Sequence, residues 1–146
     1  MSELNKIALK IIQSGKGILA ADESTSTMTK RLEAVKVKSS EENRLNFRKA
    51  LFTSECMKKC IGGVILYDET IKQSSGSKTI PELIAKSGAI TGIKVDTGAK
   101  ILAGSTDEKI TEGLDGLRER LKEYYKFGAR FTKWRGVYII SDKYPS

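Results

Sequence analysis

Apolar residues along this chain follow two rhythms. Four short runs, GILAAD (17–22), GVILYD (63–68), TGIKVD (91–96) and RFTKWRGVYII (130–140), are apolar at successive positions, and longer stretches of helical period separate them. Short unbroken apolar runs mark strands buried on both faces. Their alternation with helices predicts a parallel sheet joined by right-handed crossovers. The expected fold class is α/β, either doubly wound or a (β/α)8 barrel.

The helical stretches carry their own punctuation. Met28, Leu32 and Val35 recur at helical spacing, and Ser39 with Glu42 reads as a capping box ahead of a core stripe of Phe47, Ala50, Leu51 and Met57. Thr79 and Glu82 form a second box, with Pro81 in the first turn and Gly88 as the stop. Leu114, Leu117, Leu121, Tyr124 and Tyr125 make a last stripe that Gly128 ends. The clusters KQSSGSK (72–78) and LAGST (102–106) read as loops, and no linker divides residues 1–146, so a single domain is expected.

Composition narrows the chemistry. The 146 residues are 39% hydrophobic and 30% charged, which suits one globular domain with a sizeable core. Lys6 and Lys10 interrupt the N-terminal MSELNKIALKIIQ, so it lacks the apolar stretch of a signal peptide, and no run reaches membrane-spanning length. A cytoplasmic protein with no membrane partner is expected. There is no histidine, which excludes Ser-His-Asp and Cys-His nucleophiles and leaves acid/base work to carboxylates, lysines or a tyrosine. Cys56 and Cys60, four apart and without a second pair, make no zinc site, so we expect buried, reduced thiols and no metal. The net charge of +8 is dispersed among acidic residues without interleaved aromatics, a pattern for a small anionic substrate and not for nucleic acid.

Candidate site residues stand at the ends of the apolar runs, where parallel α/β folds build their sites. Three runs end in Asp22, Asp68 and Asp96. Asp68 reads as a helix cap or turn residue. Strand alternation puts Lys94 with Asp96 on one face, and Lys133 with Arg135 on one face of the next strand. If that face points inward, the cations must be paired or meet an anion, which makes either a site in a barrel mouth or a structural ion-pair network. After the first run, Ser24, Thr27 and Arg31 lie at i, i+3 and i+7, placing two hydroxyls and a guanidinium on one side of a helix start. Such a group suits a phosphate, although Ser24 could equally serve as an N-cap.

Taken together, GILAADEST, EENR followed by CIGGVILYDET, GIKVDTGAKILAGS, EGLDGLRERL and FTKWR resemble class I fructose-bisphosphate aldolase, in family order and spacing from the first run to the last residue. The resemblance implies a (β/α)8 TIM barrel. It also implies the glycolytic lyase reaction, reversible cleavage of fructose 1,6-bisphosphate to dihydroxyacetone phosphate and glyceraldehyde 3-phosphate through a lysine Schiff base, without metal or other cofactor. It assigns Asp22 to proton transfers beside the Schiff-base nitrogen and Lys133 to electrostatic assistance of imine formation. Ser24, Thr27 and Lys94 match positions that hold the phosphate on the aldehyde side, Arg31 and Arg135 match phosphate-contacting arginines, and Arg44 of EENR matches an arginine associated with substrate. Thr27 stands where animal enzymes usually have serine, and Thr97 where lysine is commoner.

Length departs from the family pattern, because a complete barrel takes about 250 residues. About four βα units, the N-terminal half, are expected here. The VEPE glutamates, the imine-forming lysine, the other phosphate site and the C-terminal tail of the family fall outside the matched motifs. The expectation is therefore a chain with little lyase activity alone. It would assemble as a homo-oligomer, tetrameric in complete family members, or associate through open sheet edges. The alternative is a non-catalytic half-barrel that binds sugar phosphates or pairs with a complementary half.

Overall fold

A capped helix begins the computed structural model, which describes residues 1–145. In α1 (Glu3–Ile12) the Ser2 hydroxyl accepts the Asn5 N–H at 3.3 Å. There follow β1 (Gly17–Ala21), α2 (Thr25–Ala34), α3 (Glu41–Phe52), α4 (Cys56–Cys60), β2 (Ile61–Leu66) and α5 (Asp68–Ile71). A small hairpin of β3 (Ser74–Ser75) and β4 (Lys78–Thr79) leads into α6 (Ile80–Ala85) and β5 (Ile90–Lys94). Then come β6 (Gly98–Ile101), β7 (Lys109–Glu112), α7 (Leu117–Lys126) and β8 (Phe131–Lys133).

Strands β1, β2, β5 and β8 pair in that order, all parallel, so each predicted apolar run supplies a strand that lies beside its predecessor. Val64, Leu66 and Ile93 pack against Phe52, Met57, Ile80, Ile84 and Tyr124 of the covering helices to form the core. This is the α/β architecture the sequence predicts, a segment of a TIM-type barrel. Among the described residues no helix is long and apolar enough to cross a membrane.

The sheet curls. Strands spaced about 4.8 Å apart would put β1 and β8 about 14 Å from each other in a flat sheet, farther than one lysine side chain spans. Lys133 Nζ nevertheless stands 2.6 Å from Asp22 Oδ2, joining the ends of the two outermost strands. Two glycines admit close approaches, Gly92 on the inner face of the sheet and Gly62 on the face toward the helices. The Phe131 ring lies where a Cβ on Gly92 would stand, 2.4 Å from the nearest ring carbon, and the Ile11 carbonyl oxygen is 1.9 Å from the Cβ position of Gly62.

Several local expectations need correction. The fourth run pairs only over Phe131–Lys133, because β5 leaves the ladder after Lys94 and residues 134–140 join no ladder among the described residues. Ser40, not Ser39, caps α3, accepting the Asn43 N–H at 3.1 Å. On α3 it is Arg48 and Phe52 that are buried, while Phe47, Ala50 and Leu51 face out. Val35 and Leu114 lie beyond the ends of their helices and are exposed, as is Tyr125. Cys56 and Cys60 are free but exposed, not buried, because five-residue α4 offers only Met57 to the core. The expected loop 72–78 contains β3 and the start of β4, a short antiparallel pair, whereas 102–106 is a loop as expected, the turn that joins β6 to β7. The Thr79/Glu82 box forms as predicted, with the Thr79 N–H donating to Glu82 Oε2 at 2.8 Å, and Gly88 adopts φ +85° past the helix end.

The contact of Gly62 with the Ile11 carbonyl leaves no room for a methyl group. Gly62→Ala should lower stability by about 1–3 kcal/mol, read as an earlier urea midpoint by circular dichroism, since α1 must back away from β2. An unchanged midpoint would show that α1 does not rest on this strand.

Candidate active site

Three of the four parallel strands end at or next to a charged residue, where the ladder stops. Asp22 follows β1, Lys94 ends β5 and Lys133 ends β8. Register sets Lys94 directly beside Lys133. Two neighbouring ammonium groups would repel, and each is neutralised by its own carboxylate. Lys94 Nζ lies 2.8 Å from Asp96 Oδ1 and also donates to the Asp96 carbonyl, and Lys133 binds Asp22. Both aspartates are over 90% buried, so the pairs replace the water they have lost.

Arg135 lies just past β8 and not on it as expected, yet it reaches the same place. Its N–H donates to Asp96 Oδ2 at 3.3 Å, and its carbonyl accepts from the Thr111 hydroxyl of β7 at 2.7 Å. Among the described residues its side chain has no carboxylate partner. Three cations therefore meet two carboxylates at these strand ends, an excess that favours an anion.

Ser24 caps α2, accepting the Thr27 N–H at 3.4 Å, and the two hydroxyls lie 3.1 Å apart. Arg31, two turns on, is ion-paired with Glu23. Asp22, Ser24, Thr27, Arg31, Lys94, Lys133 and Arg135 all line one cavity of 930 Å³ at the carboxyl ends of the strands. Arg44 is not brought to it. Its Nε binds Glu69 Oε2 at 3.0 Å and its Nη1 binds the Ser39 carbonyl at 3.0 Å, and the Glu69 hydrogen bond raises the guanidinium above its ordinary value.

The sequence concealed several members of this region. Arg48 is fully buried, donating to Thr70 Oγ1 at 2.7 Å and to the Glu23 carbonyl at 2.5 Å, and burial pushes its guanidinium below the usual value. Its place four residues after Arg44 on one helix face was the available signal. Asp68 opens α5 without capping it and lines the cavity. It accepts from the Tyr124 hydroxyl at 2.9 Å and pairs with Lys72, which it keeps protonated beyond the ordinary lysine value. Arg120 of α7 donates to the Val95 carbonyl at 3.0 Å and also to that of Gly113, tying the β5 exit to the helix.

A family description, fructose-bisphosphate aldolase class I, matches residues 3–146. The chain belongs to this family. A probable class 1 fructose-bisphosphate aldolase of Xylella fastidiosa (strain Temecula1) is 50% identical over 147 positions, covering all of this chain and 44% of that protein. Fructose-bisphosphate aldolase C of Carassius auratus is 51% identical over 146 positions, covering 99% of this chain and 40% of its own length. The aldolase of Plasmodium falciparum, solved in complex with TRAP and a small-molecule inhibitor, superposes with a TM-score of 0.90 at 47% identity. That match covers 95% of this chain and 40% of the Plasmodium chain. The chain thus spans about two fifths of the length of the aldolases it matches.

Tyr124 gives the cavity a measurable titration. Burial raises its phenol, and the carboxylate of Asp68 raises it further. Because the folded value lies above the unfolded one, this contribution to stability is complete below pH about 10 and is lost as pH rises through the folded value. Phenolate absorbance should show one of the five tyrosines titrating late, and Tyr124→Phe should remove that step. Five coincident titrations would contradict the buried Tyr124–Asp68 bond.

Proposed function

We propose that the cavity is one part of a class I fructose-bisphosphate aldolase site, which grips a phosphate of fructose 1,6-bisphosphate and serves proton transfer beside it. The observation that carries this reading is the Lys133–Asp22 pair, at 2.6 Å, in one cavity with the Arg135 guanidinium and the Ser24 and Thr27 hydroxyls. A proton can pass between this ammonium and the buried carboxylate without leaving a bare charge, because the transfer leaves a neutral amine beside a carboxylic acid. In this reading Asp22 exchanges protons with the reacting oxygens of the sugar, and Lys133 lowers the cost of negative charge developing there.

Phosphate recognition falls to groups of different kinds. Arg135 and Arg31 offer planar forks that fit two phosphate oxygens, Lys94 offers a compact charge, and Ser24 and Thr27 give hydroxyls near the first turn of α2. The family resemblance assigns the imine-forming lysine to a strand after the four described here. Lys94 and Lys133, both engaged with aspartates, therefore serve binding and electrostatics and do not act as nucleophiles.

The test separates grip from chemistry. Titrated with glyceraldehyde 3-phosphate, the chain should bind on the order of millimolar, with NMR shifts at Ser24, Thr27 and the β8 exit and an affinity that falls with salt. Arg135→Ala and Lys94→Ala should each weaken binding about tenfold, the worth of one charged hydrogen bond, whereas Asp22→Asn should not weaken it. Cleavage of fructose 1,6-bisphosphate by this chain alone should stay at background. Equal titration of Arg135→Ala and wild type, or shifts centred on helix-surface lysines, would refute the phosphate assignment.

A further inference from the structure

Glu23 sits between the two proposed site residues Asp22 and Ser24, and its carboxylate faces two arginines. Oε1 is ion-paired with Arg31 at the cavity rim. Oε2 is buried without a hydrogen bond, 3.9 Å from Nη2 of the fully buried Arg48. Among the described residues three buried side-chain polar atoms lack a partner, and two of them are Glu23 Oε2 and Arg48 Nε. Orphaned atoms of opposite charge on two side chains already within 3.9 Å of each other are an arrangement that a closer approach would relieve. Arg31 prevents that approach by holding the other oxygen.

Resting on the phosphate reading of the cavity, we infer that Glu23 is a positioning residue shared between Arg31 and Arg48, and that a phosphate arriving at Arg31 hands the carboxylate over to Arg48. Glu23 occupies the guanidinium that an anion needs, so it acts as an internal competitor. When a phosphate takes Arg31, the displaced carboxylate does not become a buried uncompensated charge, because Arg48 already lies on its other side. The backbone does not have to follow. Arg48 Nη2 holds the Glu23 carbonyl at 2.5 Å and Nη1 is anchored on Thr70, so Asp22 and Ser24 keep their places while the side chain turns. Arg48 is anchored behind the cavity on the other side as well, with Nη1 3.7 Å from Glu69, the carboxylate that binds Arg44.

A double-mutant cycle tests this on the 146-residue chain with glyceraldehyde 3-phosphate as probe. Glu23→Gln keeps the shape and removes the competitor, so binding should tighten about fivefold, the upper worth of an exposed ion pair. In an Arg31→Ala background the same substitution should change affinity less than twofold. Equal tightening in both backgrounds would mean that Glu23 acts only as a distant negative charge, and no tightening in either would mean that it does not compete; both results overturn the inference. The handover has its own signal. On saturation the Arg48 Nε–H resonance of the wild type should move and that of Glu23→Gln should not, and a stationary wild-type resonance overturns the handover. Failure of the phosphate reading itself would show separately, as an Arg135→Ala variant that titrates like wild type.

Discussion

The rest of the structure depends on one ion pair that closes a distance. Lys133 and Asp22 lie 111 positions apart in sequence and on the outermost strands of the sheet, and their contact at 2.6 Å exists only because the sheet is curved. Curvature in turn requires room on the inner side, which Gly92 provides by omitting a side chain where Phe131 presses in. It also gathers strand ends that a flat sheet would spread, so the cations of β5 and β8 share a cavity with the α2 cap. Site and fold are therefore coupled through shape, and a change that flattens the sheet would open the charge cluster before it unfolded the core.

Charge compensation is the second organising constraint. Lys94 and Lys133 are each matched by a buried aspartate, which lets two parallel strands place ammonium groups side by side. Behind them Arg31, Glu23, Arg48, Glu69 and Arg44 alternate in sign from the rim of the cavity to α3. Such a chain of charges gives little net stability by itself, since desolvation consumes much of the attraction. What it fixes is position, because the inner members Glu23, Arg48 and Glu69 each face opposite charges on two sides.

The strands, their order and most of the charged cluster were legible in the sequence because each rests on local pattern: unbroken apolar runs, alternation along a strand, and hydroxyls at helical spacing. Arg48 was not legible. A cation on a helix reads as solvated, and only the tertiary neighbours Thr70 and Glu23 turn it inward, which also rotates Phe47 and Leu51 outward. Ser39 lost its expected cap to Ser40 for a similar reason, since its hydroxyl is taken by Thr29 at 2.7 Å across the turn. Arg44 shows the limit from the other side. The motif EENR that marks the resemblance places this arginine correctly on its helix, but a Glu69 far along the chain holds it away from the cavity.

The β6–β7 hairpin carries a constraint on chain length. Thr111 points its hydroxyl at the Arg135 carbonyl, and Thr97 N–H binds the Glu112 carbonyl at 2.9 Å, so the irregular stretch after β8 is moored to the base of this excursion. Side chains alternate along a strand, so slipping β7 by one residue would bring Ile110 or Glu112 into register and turn the hydroxyl to the opposite face. The turn between Ile101 and Lys109 meets the chain farther on, where the exposed Tyr144 hydroxyl, nine residues past Arg135, donates to Asp107 Oδ2 at 3.3 Å. Insertions or deletions can thus accumulate at that turn without disturbing the site, whereas an odd-numbered shift at the hairpin base would release Arg135, and homologous chains that vary in length here should do so at the tip.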